Sequence, residues 1–320
     1  MGQPATDRTG AADGGTSPQA AQFGAPEADE LGTIYRRFTW PSADGLTLAG
    51  RDYGAGGSDG SARPPLLCLP GLTRTCRDFA PLAARLTAAG HRLIVANLRG
   101  RGESERAPEP SHYNLGSETD DVLRLVDGLG FKAIDAIGTS RGGLILMILA
   151  MRRPGLTARV VLNDIGPRIG LGGLLRIART IGIQLGELDW PAAIASLAMS
   201  QADMFPDLDE RGWERYARRL WRDVGGRPAQ DFDPAIGHEL ATLTQETRLP
   251  ELWEAFAVLA ERPVLLVRGV LSEVLTETTA AEMLRRHATV ELAEVPGEGH
   301  APLLEDEATL QRIAQFLDRA

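Results

Sequence analysis

Short apolar runs alternate with longer amphipathic segments along most of this chain, and that alternation constrains the fold more than any other feature. Buried strands are indicated by "LLCLPG" (66–71), "KAIDAIG" (132–138), "ARVVLNDIG" (158–166) and "RPVLLVRG" (262–269). Segments with apolar residues at helical spacing lie between them, as in "RDFAPLAARLTAAG" and "SETDDVLRLVDGLG". This pattern predicts an α/β fold, with a mostly parallel sheet covered by helices on both faces.

Residues 168–250 break the rhythm, because they hold amphipathic helices without a convincing buried strand. We expect a helical cap inserted into an α/β core formed by residues 31–167 and 251–320. Its place in the chain would put it over the carboxyl ends of the strands, where open sheets bind ligands. Its aromatic and methionine side chains can line a cavity or pack the cap: Trp190, Met204, Phe205, Trp213 and Trp221.

The start of the chain is expected to contain a hairpin that belongs to the core and, before it, a segment that does not. "TIYRRFTW" and "LTLAGRDYG" flank a turn sequence and predict an antiparallel hairpin at the start of the core. Residues 1–30 are rich in Ala, Gly, Pro, Thr and Asp and lack the basic start and apolar middle of a signal peptide. We expect this segment to be a disordered leader.

Charge and composition exclude several classes of partner. The net charge of −9, without a basic tract, argues against nucleic-acid binding. The longest apolar stretch, residues 144–151, is too short to span a membrane, and we expect a cytoplasmic protein. Two cysteines and five scattered histidines show no metal-ligand spacing, so no metal is expected.

The stretch "GTSRGG" (138–143) predicts a serine nucleophile at Ser140. It lies between a predicted strand and a predicted helix, where flanking glycines relieve the crowding of a sharp turn and the hydroxyl projects from the sheet. The simpler alternative is an incidental turn serine. A serine nucleophile also needs a base, a group that orients the base, and donors for the oxyanion.

His300 is the predicted base, because among the five histidines it alone lies in a glycine loop after a strand, "VPGEGHAP". For the acid we favour Glu273, which follows the penultimate strand in "RGVLSE" and precedes His300 in the chain order Ser–acid–His. Asp164, at the end of the strand in "LNDIGP", is the alternative acid. The backbone N–H groups of Leu72, in "LPGLTRT", and of Arg141 are the predicted oxyanion donors.

Together, "LPGLTRT", "NLRGRGES", "GTSRGG", "NDIGP", "RGVLSE" and "PGEGHAP" resemble the motifs of the α/β-hydrolase family in their order along the chain. The resemblance implies an eight-stranded, mostly parallel sheet, a Ser140–acid–His300 triad and no cofactor. Among its members the chain looks most similar to capped bacterial serine esterases and lactonases. The family's acid loop usually carries aspartate, whereas this chain has Glu273.

A serine at the turn, in place of the aspartate of dehalogenases and epoxide hydrolases of this fold, points to attack on a carbonyl. The sequence thus predicts a serine hydrolase that cleaves a small to medium carboxylic ester or lactone through an acyl-enzyme. Alternatives on the same triad are hydrolysis of a C–C bond, thioester hydrolysis and acyl transfer. An alternative from another class is a ligand-binding protein without catalysis.

Overall fold

The computed structural model describes residues 20–54, 63–181 and 185–319. Its strands are β1 (Gln22–Ala28), β2 (Ile34–Pro41), β3 (Thr47–Tyr53), β4 (Leu66–Leu69), β5 (Leu93–Ala96), β6 (Ile134–Thr139), β7 (Thr157–Asn163), β8 (Trp221–Val224), β9 (Arg227–Gln230), β10 (Val264–Gly269) and β11 (Val290–Val295). Its helices are α1 (Ala80–Ala88), α2 (Leu115–Gly128), α3 (Arg141–Arg152), α4 (Leu171–Ile181), α5 (Trp190–Gln201), α6 (Glu210–Leu220), α7 (Trp253–Leu259), α8 (Glu277–Arg286) and α9 (Glu307–Leu317).

One large sheet forms the core, in the order β1-β2-β3-β5-β4-β6-β7-β10-β11. Strands β5, β4, β6, β7, β10 and β11 pair in parallel, whereas β1, β2 and β3 join antiparallel. The predicted α/β fold and its opening hairpin are confirmed. The sheet has nine strands within the described ranges, not the eight expected.

The additional strand is β1, which falls inside the segment predicted as a disordered leader. Residues 22–28 pair with β2 although every side chain of β1 is exposed. The strand is therefore held by its backbone hydrogen bonds and by two side-chain contacts with β2, the Phe23 ring against Phe38 and the Tyr35 hydroxyl to Glu27. The expected leader is corrected to that extent, and its residues 1–19 lie outside the described part of the chain.

Alternating side chains of the central strands feed two hydrophobic clusters, one on each face of the sheet. In β4, Leu67 and Leu69 belong to the cluster beneath α2, α3 and α7, whereas Leu66 and Cys68 belong to the cluster beneath α1 and α9. This is the two-residue period of a strand with both faces buried. The core thus holds the carboxyl ends of its parallel strands in a fixed arrangement.

The inserted segment 168–250 carries α4, α5 and α6, as expected, but it is not entirely helical. Strands β8 and β9 form a separate antiparallel hairpin after α6. The two residues that connect them are Gly225 and Gly226, both with positive φ, at +61° and +82°. Such backbone angles suit the tight turn of a two-residue hairpin, and glycine adopts them without strain.

None of the helices in the described ranges is both long and apolar enough to cross a lipid bilayer.

Candidate active site

Ser140 lies in a sharp turn between β6 and α3. Its φ is +49° and its ψ −114°, a conformation that a residue with a side chain rarely adopts. The backbone holds it there: Ser140 N–H donates to the Asn163 carbonyl (3.0 Å), and Gly143 N–H donates to the Ser140 carbonyl (2.9 Å). The strained turn lifts the hydroxyl out of the sheet.

The glycines around Ser140 are required by close packing. A Cβ on Gly142 would lie 2.2 Å from the Leu69 carbonyl oxygen, and one on Gly143 would lie 2.3 Å from a methyl of Ile165. A side chain at position 142 would require the backbone of β4 to move, and one at position 143 would require Ile165 to move. The glycines therefore let α3 begin directly against the ends of β4 and β7.

His300 joins Ser140 to a carboxylate. Its Nε2 lies 2.9 Å from Ser140 Oγ, and its Nδ1 lies 2.7 Å from Asp164 Oδ2. With a carboxylate beside Nδ1, that nitrogen is the donor, which leaves Nε2 to accept the hydrogen bond of the serine hydroxyl. The imidazole is thus oriented to take a proton from Ser140.

The carboxylate of Asp164 is fully buried and has a complete set of donors. Oδ1 accepts from Gly269 N–H (3.0 Å), and Oδ2 accepts from the Ser272 hydroxyl (2.5 Å) as well as from His300. The Ser272 oxygen itself accepts the N–H groups of Val274 and Leu275, so its own hydrogen is directed to Asp164. A buried carboxylate needs such partners to offset the loss of hydration.

Glu273, the acid favoured from the sequence, lines the same cavity as Ser140 but does not contact His300, and that expectation is corrected. Its side chain is half-exposed, and its Oε2 accepts from Arg176 Nε of α4 at 3.0 Å. The loop after β10 points Ser272 toward Asp164, whereas the next side chain, Glu273, points toward Arg176. The carboxylate that contacts His300 is that of Asp164, the alternative acid.

The two segments that carry the predicted oxyanion donors both lie next to Ser140. Arg141 is the first residue of α3, so its N–H has no carbonyl partner within the helix. A Cβ on Gly71 would lie 3.8 Å from Ser140 Cβ, which places the loop that contains Leu72 beside the serine. The Leu72 carbonyl is held by Arg101 Nε at 2.7 Å.

A cavity of about 360 Å³ opens between Ser140 and side chains of the segment 168–250. Its apolar wall includes Ile177, Leu197, Met204, Leu220, Trp221 and Phe232. Trp190, Met204, Phe205 and Trp213 are buried in one cluster with Leu303, against which Trp221 packs. Of the five aromatic and methionine side chains noted in the segment 168–250, only Met204 and Trp221 line this cavity, and the other three pack within the cluster.

Several residues that support the site were not predicted from the sequence. Ser272 and Gly269 hold Asp164, and the Asn163 amide donates to Thr139 Oγ1 (3.2 Å) and to the Pro302 carbonyl (2.9 Å). Only their positions next to predicted site residues could have indicated them. Within the described ranges, no group of three or more His, Cys, Asp and Glu side chains is arranged to hold a metal ion.

A family model for the alpha/beta hydrolase fold matches residues 64–288. The chain belongs to the α/β-hydrolase family. This α/β-hydrolase is 31% identical over 262 residues to the 3-hydroxybutyrate-oligomer hydrolase of Cupriavidus necator, an alignment that covers 80% of this chain and 88% of the relative. It is 27% identical over 277 residues to the 2-(acetamidomethylene)succinate hydrolase of Mesorhizobium japonicum, with coverage of 85% and 92%.

Among solved structures, an alpha/beta hydrolase from Novosphingobium aromaticivorans is similar to this α/β-hydrolase, with a TM-score of 0.82 and 39% identity. The alignment covers 89% of this chain and 99% of that one. Both the sequence relatives and the fold place the protein among hydrolytic enzymes.

Proposed function

We propose that this α/β-hydrolase cleaves carboxylic esters or lactones of small to medium size, with Ser140 as nucleophile, His300 as general base and Asp164 as the acid that orients it. The observation that carries the proposal is the continuous hydrogen-bonded line from Ser140 Oγ through the His300 ring to Asp164 Oδ2. A serine, a base and a buried carboxylate in this order are what nucleophilic attack on a carbonyl requires.

In the proposed reaction, Ser140 Oγ attacks the substrate carbonyl carbon while its proton passes to His300 Nε2. Asp164 stabilises the resulting imidazolium through Nδ1. The oxyanion is bound by the N–H groups of Leu72 and Arg141, next to the positive end of the α3 dipole. His300 then protonates the leaving alcohol, and a water molecule activated by the same imidazole releases the acid from Ser140.

The cavity supports a substrate of limited size. Its volume of about 360 Å³ is near the lower end of the range of small-molecule sites, and its cap wall is largely apolar. The relative from Cupriavidus necator is named as a hydrolase of 3-hydroxybutyrate oligomers, which are chains of esters of a short hydroxy acid. Both observations favour esters of short or medium acyl groups over long-chain lipids.

The test compares wild type with Ser140→Ala on p-nitrophenyl esters from acetate to palmitate, on lactones and on linear 3-hydroxybutyrate dimer and trimer. We expect Ser140→Ala to reduce kcat by at least roughly 10⁴-fold. Ser111→Ala, which changes an exposed serine outside the cavity, is the matched control and should keep wild-type rates. We also expect kcat/KM to fall for palmitate, whose chain is too long for the cavity.

Equal ester turnover by wild type and Ser140→Ala would overturn the proposed mechanism. Labelling with a fluorophosphonate gives a second readout, since only an activated serine reacts. If Ser140 remains unlabelled, the protein binds ligands without this chemistry. Preferential turnover of thioesters or diketones, or product formation that depends on an added alcohol acceptor, would instead assign one of the other reactions of a serine triad.

A further inference from the structure

A carboxylate outside the triad bridges two arginines directly beneath the site. Glu118 of α2 is fully buried, and its Oε1 accepts from Arg101 Nη1 at 2.6 Å. Its other oxygen, Oε2, accepts from Arg141 Nε. Burial acts to raise the pKa of Glu118, but the two guanidinium groups outweigh it and hold the pKa below its usual value. The carboxylate is therefore ionised and bound on both sides.

Each of these arginines is attached to a different side of the proposed oxyanion hole. Arg101 Nε donates to the carbonyl of Leu72 at 2.7 Å and so holds the loop that follows β4. Arg141 carries the other donor on its own backbone, and its side chain is fixed by Glu118 and by the Tyr113 carbonyl (2.7 Å to Nη2). Glu118 thus links the Leu72 loop to the first residue of α3.

Stability alone does not account for this arrangement. A buried ion triad is often no more stable than well-packed apolar side chains of the same size. Arg101 is fully buried and its Nη2 has no hydrogen-bond partner among the described residues, so the guanidinium forgoes one bond in the orientation that reaches Leu72 and Glu118 together. The geometry favours a role in holding the two segments at a set separation.

We infer that Glu118 is a positioning residue that sets the distance between the Leu72 and Arg141 N–H groups and so preorganises the oxyanion hole. The inference rests on the proposed function, in which those two groups bind the oxyanion. Oxyanion donors act within a narrow range of distances, and a displacement of about 1 Å can cost roughly 100-fold in rate. Because the oxyanion exists only after attack, the loss should appear in kcat and not in KM.

The experiment uses Glu118→Gln in the full-length enzyme. Glutamine has nearly the same shape, but its NH₂ group faces one arginine as a second donor, so one of the two links breaks. We expect kcat for p-nitrophenyl butyrate to fall roughly 10- to 100-fold, with KM within about threefold of wild type. Inhibition by a trifluoromethyl ketone, whose adduct with Ser140 carries an oxyanion, should weaken by a similar factor.

The matched control is Asp52→Asn, which changes another fully buried carboxylate, on β3, that accepts two hydrogen bonds from Arg92. It should keep both kcat and the inhibition constant, even if it lowers the melting temperature. Thermal unfolding and gel filtration identify any variant that fails to fold. For that case Arg101→Lys is the second variant, because a lysine keeps the charge beside Glu118 but cannot also hold the Leu72 carbonyl.

The outcomes separate the two proposals. Wild-type kcat and inhibitor affinity in folded Glu118→Gln and Arg101→Lys would overturn the role of Glu118 while leaving the triad intact. Equal losses in Glu118→Gln and Asp52→Asn would also overturn it, since any buried ion pair would then have the same effect. Absence of fluorophosphonate labelling in the wild type would instead overturn the proposed function, and the proposed oxyanion hole would fall with it.

Discussion

Replacing Asp164 with asparagine should disable this hydrolase, whereas replacing Glu273 with glutamine should scarcely affect it. In the native site, Asp164 Oδ2 accepts a hydrogen bond from His300 Nδ1. An asparagine that keeps its oxygen on Gly269 N–H presents its NH₂ group to the imidazole, so Nδ1 becomes an acceptor and the ring proton moves to Nε2. His300 can then no longer take the proton of Ser140.

The magnitude follows from that change of tautomer. Loss of the orienting carboxylate in a serine triad lowers kcat by roughly 10⁴-fold, which corresponds to about 5.4 kcal/mol in the activation free energy. Glu273 contributes a half-exposed ion pair with Arg176, and such pairs stabilise proteins by about 0–1 kcal/mol. Because Glu273 does not contact His300, and even a full 1 kcal/mol in the activation free energy would be about a fivefold change, Glu273→Gln is expected to change kcat by less than about fivefold.

The assay is steady-state hydrolysis of p-nitrophenyl butyrate at pH 7.5, with thermal unfolding to confirm that both variants fold. Fluorophosphonate labelling should slow in Asp164→Asn and proceed normally in Glu273→Gln, since it reports the reactivity of Ser140. A larger kcat loss in Glu273→Gln than in Asp164→Asn would refute the reasoning. It would mean that the loop after β10 rearranges in the working enzyme and brings Glu273 to His300.

Two further changes test the packing and the electrostatics around the site. Gly142→Ala should lower the free energy of unfolding by at least about 2 kcal/mol, measured by urea titration, because its Cβ would overlap the Leu69 carbonyl. The control is Gly172→Ala on α4, where nothing lies within reach of the added Cβ, and it should not destabilise the protein. Burial raises the pKa of Glu298, whose Oε2 accepts from Leu303 N–H, to about 7, so the folded state binds a proton that the unfolded chain releases near pH 4.5. The free energy of unfolding should therefore fall by up to roughly 3 kcal/mol as the pH rises from about 4.5 to 7. Glu298→Gln should remove this dependence on pH, and an unchanged dependence in that variant would contradict the raised pKa of Glu298.

The nucleophile and the base could be predicted from the sequence because their signals are local. The turn at Ser140 needs glycines where α3 meets β4, and those glycines stand beside it in "GTSRGG". His300 likewise lies in its own glycine loop after β11. The alternation of strands and helices was sufficient for the fold class, since both faces of the sheet are buried.

Other parts of the fold gave no such signal. Strand β1 has no buried side chain and therefore no alternation, and only its hydrogen bonds to β2 make it a strand. The hairpin of β8 and β9 is also largely exposed, although the Gly225–Gly226 pair between its strands is typical of a tight turn. Which strands with exposed side chains pair depends on the segments that the rest of the fold brings together. The hydrophobic pattern of the sequence does not indicate such pairing.

The acid could not be assigned from the sequence because two neighbouring strands end at the same place. Strands β7 and β10 are paired in parallel, so the loops after them, with Asp164 and Glu273, lie side by side. Which carboxylate reaches His300 is then decided by the direction of one or two side chains. Ser272 and Glu273 are neighbours in the chain, yet the first points to Asp164 and the second to Arg176 of α4.

Both loops nevertheless contribute to the acid site. Asp164 supplies the carboxylate from a backbone with φ of +57°, a conformation that aspartate tolerates better than most residues. The last residue of β10 and the loop after it supply two of the three donors that hold this carboxylate, Gly269 N–H and the Ser272 hydroxyl. A buried carboxylate needs hydrogen-bond donors to offset its loss of hydration. The aspartate after β7 therefore depends on a serine in the loop after β10, where a second carboxylate would repel it. The pattern to seek in a sequence is therefore the pair, an aspartate ending one strand and a small donor after the next.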